Sequence, residues 1–135
     1  MSARVFFDTN VLLYLFRDAG RHTDVAENLL VEGGVVSVQV LNELVSVARG
    51  KFGMNWDEVR AALDKTLVFC PNPVPLTQEI HFSAVEIAAR YGYRIYDSLI
   101  LAAAIEANCA TVYTEDMQHS QTIGKLTIVN PFLAQ

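Results

Sequence analysis

The feature that most constrains the fold is an alternation of short β-branched and aromatic runs with longer apolar stretches of helical period. Arg4 to Phe7 reads as a buried strand, Asp8-Thr9-Asn10 as a turn, and Val11-Leu12-Leu13-Tyr14-Leu15-Phe16 as a tightly buried helix. A second helix is expected from about Thr23 to Val31, ended by Gly33-Gly34, after which Val35 to Ser37 restarts the sheet. Between Val38 and Arg49 the apolar residues Val40, Leu41, Leu44, Val47 and Ala48 recur at helical spacing, with Gly50 as a stop. Asn55 caps a helix over about Trp56 to Leu67, and three prolines between Cys70 and Pro75 break any continuation. Thr77 caps a helix through about Tyr91, Gly92 ends it, and Asp97 opens another that runs to Ala107. Ala110 to Tyr113 and Leu126 to Val129 are the last two strands, separated by the polar loop Thr114 to Gly124. Such alternation predicts an α/β fold, a three-layer α/β/α sandwich around a central parallel sheet.

The size of the chain, 135 residues, predicts a single domain over 1–135 that buries its own core without a staple. A composition 52% hydrophobic and 19% charged excludes disorder. The longest apolar stretch, Leu99 to Ile105, falls far short of the ~20 residues needed to span a bilayer, which argues against a membrane role. Cys70 and Cys109 have no CxxC spacing and no segment resembles a signal peptide, so a cytoplasmic protein with reduced thiols is expected.

Four acids stand out against this frame. Asp8, Glu43, Asp97 and Asp116 are each expected where a strand hands over to a helix or loop, and in a parallel sheet those points share one edge. Singly, each has a structural explanation: Asp8 as a turn or cap, Asp97 as an N-cap, Asp116 as a loop acid. Glu43 is harder to explain that way, because it rides on an otherwise apolar helix where an unpaired carboxylate is costly to bury. Four carboxylates in one place would repel one another unless divalent cations lay between them. Hard cations such as Mg²⁺ take oxygen ligands, keep waters and meet substrate phosphates. The chemistry that suits such a pocket is metal-assisted phosphodiester hydrolysis.

Other chemistries find little support. His22, His81 and His119 lack zinc-ligand spacing and read as surface residues, no GxSxG elbow occurs, and neither cysteine has a neighbouring charged base. The net charge of −5 counts against a polyanionic partner, although the four acids account for most of that excess. Arg49 and Lys51 could meet RNA phosphates, but complementing a helix C-terminal dipole is the better reading for that pair. Arg90 and Arg94 precede Asp97, with Tyr93 and Tyr96 as stacking faces, and Arg94 is the candidate substrate-binding residue.

With these residues in place, the chain resembles a PIN-domain ribonuclease, and specifically a VapC-type toxin of a toxin–antitoxin pair. The matching pieces are Phe7-Asp8-Thr9-Asn10-Val11-Leu12, Asn42-Glu43-Leu44, Tyr96-Asp97-Ser98-Leu99-Ile100 with Ala102-Ala103-Ala104, Tyr113-Thr114-Glu115-Asp116-Met117, and the ending Ile128-Val129-Asn130-Pro131-Phe132. The resemblance implies a PIN-like sandwich and a Mg²⁺- or Mn²⁺-dependent endoribonuclease. In it Asp8, Glu43, Asp97 and Asp116 would hold the metal, while Asn10 and Thr114 orient those ligands by hydrogen bonds, Asn10 to Asp8 and Thr114 to Asp116. It also implies an RNA substrate, a cognate antitoxin that covers the acidic pocket, and a homodimer. One position departs from the pattern: many relatives carry a further acid after the last motif aspartate, and here Gln118 and His119 follow Met117.

Two rivals remain at this point. A non-catalytic docking module of the same fold would keep the acids for structure. A phosphoryl-transfer domain of receiver or haloacid-dehalogenase type would want paired acids after the first strand, where this chain has Asp8-Thr9-Asn10.

Overall fold

The structure is a computed structural model and describes residues 4–133. Strands β1 (Val5–Phe7), β2 (Thr111–Tyr113), β3 (Thr122–Ile123) and β4 (Leu126–Val129) form one sheet in the order β1-β2-β4-β3. β1, β2 and β4 run parallel, and β3 turns back antiparallel against β4. Among the described residues six α-helices flank the sheet in a three-layer α/β/α sandwich: α1 (Thr9–Leu13), α2 (Arg21–Val31), α3 (Val38–Gly50), α4 (Trp56–Phe69), α5 (Gln78–Tyr91) and α6 (Ile95–Glu106). Burial is continuous at Phe6 and Phe7 of β1 but alternates along β2 and β4, where Thr111, Tyr113, Thr127 and Val129 are half-buried. Phe6, Phe7, Val112 and Ile128 are all fully buried.

Burial is continuous in the middle of α6 as well. Its seven consecutive residues Ser98 to Ala104 are buried, so it has no polar stripe and lies inside the molecule, packed along α5. Among the described residues no helix is long and apolar enough to cross a membrane.

Several boundaries differ from the sequence expectation for identifiable reasons. The run from Val11 to Phe16 divides into α1 and a 3₁₀ turn at Tyr14–Phe16. There the Tyr14 ring packs edge-on against Phe132, and its hydroxyl donates to Glu115 (2.7 Å). Val35 pairs with the sheet through one isolated parallel bridge to Phe6, and Ser37 forms a second isolated bridge to Val74, outside the sheet. Ser37 already caps α3 by accepting from the Val40 amide (3.2 Å), so the chain leaves for the helix before another rung can form. Gly33 adopts the left-handed φ of +80°, as its place after α2 predicts. Gly34 serves close packing instead: a Cβ there would stand 2.5 Å from the Phe7 ring. α6 begins two residues before Asp97, which lies within its first turn where the helix dipole favours a carboxylate.

The Val35 bridge falls on the side of β1 opposite to β2. Val35 exchanges hydrogen bonds with Val5 and Phe7, whereas the Asp8 amide donates to the Tyr113 carbonyl across β2 (3.0 Å). The chain thus crosses over in both directions from β1. The C-terminal end of β1 is therefore a topological switch point, where α/β sheets open a crevice.

Candidate functional site at the end of the first strand

Asp8 follows β1 at that switch point. It caps α1 with extended φ and ψ, and its Oδ1 accepts from the Thr9 amide (2.7 Å). The parallel register pairs Phe7 with Tyr113, so the next residues on each strand, Asp8 and Thr114, face each other. The Thr114 hydroxyl accordingly donates to Asp8 Oδ2 (2.8 Å). That contact differs from the expectation that Thr114 would hold the Asp116 carboxylate. Instead the Asp116 backbone amide donates to the Thr114 Oγ1 (3.2 Å). Asn10 takes the role of tying both acids together. Its Nδ2 lies 3.0 Å from Asp116 Oδ2, 3.0 Å from Thr114 Oγ1 and 3.4 Å from Asp8 Oδ2, while its Oδ1 accepts from the Glu115 amide.

Glu43 and Asp97 reach the site from helices rather than from strand ends, contrary to the handover reading. Glu43 stands mid-way along α3, half-buried, and accepts from Gln39 Nε2 (3.0 Å) one helical turn earlier. Asp97 is half-buried in the first turn of α6 and pairs loosely with Arg94 Nε (3.6 Å). Gln39 was not expected at the site; its only sequence signal is the i, i+4 spacing to Glu43.

Electrostatics ties these groups to one another. Burial pushes the Asp8 carboxyl from 3.8 up to about 7; the bonds from Thr114 and Thr9 oppose the rise, and the charges of Glu43 and Asp97 add to it. Burial also raises Glu43, with the Gln39 bond opposing and the Asp97 charge adding. Asp8 thus stands within electrostatic reach of Glu43 and Asp97 and is bridged through Asn10 to the exposed Asp116.

This donor set fits a hard divalent cation. It offers oxygen atoms only, and it holds a buried carboxylate whose charge is disfavoured until a cation neutralises it. Among the described residues no three Asp, Glu, His or Cys side chains stand close enough to cage a metal unaided. The fit is therefore to an ion of the Mg²⁺ type, which takes one or two carboxylates and completes its shell with water and substrate oxygens.

The remaining candidates divide cleanly. Arg94 is exposed beside the acids. Arg49 lies over the Trp56 ring and donates to the Met54 carbonyl, and Arg90 lies over Tyr91, so both are engaged in packing. Tyr93 donates its hydroxyl to Gln121 and accepts from the Gln118 amide, which makes it a loop anchor rather than a stacking face. His22 is half-buried and stacks on Phe132, unlike the surface residue expected, whereas His81 and His119 are exposed as expected, His119 accepting from the Asn130 amide. Burial pushes the Cys70 thiol up to about 11 and raises Cys109 as well, which leaves both unreactive.

The sequence matches the profile of the PIN domain family over residues 5–125. No curated protein matches it in sequence. Among solved structures, a toxin–antitoxin complex from Klebsiella pneumoniae is similar at 23% identity and a TM-score of 0.71, covering 95% of this chain and 98% of that one. VapC20 of Mycobacterium tuberculosis, a sarcin–ricin-loop-cleaving toxin, is similar at 18% identity and 0.65, covering 83% and 91%. FitAcB from Neisseria gonorrhoeae is similar at 20% identity and 0.65, covering 95% and 98%. At these identities the likeness is one of fold.

Proposed function

The chain belongs to the PIN-domain family, and from that premise we propose that it is a Mg²⁺- or Mn²⁺-dependent endoribonuclease acting as the toxin of a toxin–antitoxin pair. The observation that carries this reading is the buried Asp8 carboxylate at the switch point, held by Thr9 and Thr114 and facing the charges of Glu43 and Asp97. Similarity of fold to the Klebsiella toxin–antitoxin complex and to VapC20 supports the toxin assignment and, with it, an antitoxin partner; a homodimer is proposed from the family resemblance alone.

In this reading Asp8 and Asp97 would hold the metal, Glu43 would ligate it or orient a water, and Asp116 would complete the acidic set. When bound, the ion supplies charge neutralisation at the scissile phosphate and a lowered pKa for water. Thr114 and the Thr9 amide fix the Asp8 carboxylate so that its free lone pairs point one way. Gln39 does the same for Glu43, and Asn10 for Asp116.

The test is cleavage of total RNA by the purified protein with Mg²⁺, Mn²⁺ or chelator. Asp8→Asn and Asp97→Asn should each lose more than the roughly 10- to 100-fold typical of changes outside the inner sphere. Cleavage by Asp8→Asn at the wild-type rate would refute the assignment. The lack of a ready three-ligand cage favours one rival, a non-catalytic docking module. That rival requires a melting temperature indifferent to Mn²⁺, whereas a metal site gains stability by mass action.

A further inference from the structure

Beside the acidic site, α3 and the start of α6 border an open, shallow groove of about 360 Å³ lined by Gln39, Asn42, Glu43, Ser46, Arg94 and Tyr96. The four α3 residues fall at i, i+3, i+4 and i+7, so they form one stripe on the helix. A polar stripe ordinarily faces open water. Here it is one wall of a groove whose other wall carries an arginine and a tyrosine.

We propose that this groove seats one unpaired nucleotide of the RNA, its base stacked on Tyr96 and a phosphate met by Arg94. The inference rests on the ribonuclease reading and deepens it by naming the form of RNA that is taken. Tyr96 is 58% exposed, and among the described residues no aromatic ring or cation stacks on it. An exposed ring of that kind takes the face of a base, which a duplex keeps hidden in its stack. Arg94 is 80% exposed, its one ion pair among the described residues is the loose 3.6 Å contact with Asp97, and its charge also reaches Glu43, so its guanidinium remains open to a phosphate. Arg17, Arg49 and Arg90, by contrast, lie over rings of Tyr14, Trp56 and Tyr91. The amide of Asn42 and the hydroxyl of Ser46, both exposed, offer hydrogen bonds to a base edge. Glu43 is shared between groove and acidic site, so a nucleotide seated here lies next to the phosphate to be cut. The volume is at the lower end of the ~300–1,000 Å³ range of ligand pockets, a size for one nucleotide and not for a helix.

The test uses a single-stranded RNA oligonucleotide carrying 2-aminopurine, bound to the protein in chelator so that fluorescence reports stacking, and the same RNA cut in Mg²⁺. Wild type should change the fluorescence, Tyr96→Phe should retain the change, and Tyr96→Ala should abolish it and bind about tenfold more weakly. In cleavage, Tyr96→Ala should raise KM about tenfold and alter kcat less, and the annealed duplex should compete poorly. A Tyr96→Ala protein with wild-type KM and fluorescence, or a duplex that competes as well as the single strand, overturns the groove assignment while wild-type cleavage leaves the nuclease reading standing. A wild-type protein that neither binds nor cuts any RNA overturns the nuclease reading itself. Thermal midpoints of both variants equal to wild type establish that folding is not the cause.

Discussion

Replacing Asp8 by Asn should turn a pH-sensitive protein into a less sensitive one when no metal is present. In the folded chain the Asp8 carboxyl keeps its proton up to about 7, against 3.8 for its ordinary state. Between about pH 4 and pH 7 the folded state therefore binds more protons at this position than the unfolded state, so stability falls as pH rises through that window. The contribution is fully present below the unfolded value and lost above the folded one. At about 1.4 kcal/mol per pKa unit, the loss amounts to at most about 4 kcal/mol, a large part of the roughly 5–15 kcal/mol that holds a domain together. Asn carries no proton to lose, so the difference in stability between Asp8→Asn and wild type should grow by up to about 4 kcal/mol from pH 4 to pH 8. Its amide must face the Thr114 hydroxyl and the Asn10 amide, which costs about 1 kcal/mol at every pH and leaves the slope unchanged. Urea denaturation in chelator at a series of pH values measures both proteins. Parallel profiles that keep a constant gap from pH 4 to pH 8 would refute the claim that Asp8 is buried against like charges.

Two further substitutions test the support around the site. Thr114→Val keeps the shape of a fully buried side chain but removes the hydroxyl bonded to Asp8 and to the Asp116 amide; it should cost about 1–3 kcal/mol in urea denaturation at neutral pH. Because that hydroxyl lowers the Asp8 pKa, its loss should also extend the pH-sensitive window upward, and an unchanged window would count against it. Gly34→Ala should destabilise by about 1–3 kcal/mol, since its Cβ would stand 2.5 Å from the Phe7 ring and 3.0 Å from Val5 Cγ2; wild-type stability would show that the approach is looser.

Helix limits were legible where a local signal exists. Asn55 forms a full capping box with Glu58, Thr77 accepts from the Ile80 amide, and Gly92 ends α5 in the left-handed conformation. Those bonds join residues three or four apart, so the sequence contains both partners. The site was legible as a set of acids but not as a geometry. Which acid Thr114 would hold depends on the β1–β2 register, a pairing across more than 100 residues that no local pattern encodes. Tyr93 and Tyr96 looked equivalent in sequence, yet Gln118 and Gln121 anchor the first and leave the second exposed. β3 escaped notice because two residues, Thr122 and Ile123, form it only by folding back on β4 around Gly124 at φ +60°.

The central claim is that the switch point at the end of β1 binds a divalent cation through Asp8. Anomalous diffraction from a crystal equilibrated with Mn²⁺ tests it directly. The account predicts a peak within ~2.0–2.4 Å of an Asp8 carboxylate oxygen, with Asp97 or Glu43 reaching the same ion directly or through water. Anomalous peaks elsewhere at saturating Mn²⁺, with none at Asp8, would contradict it.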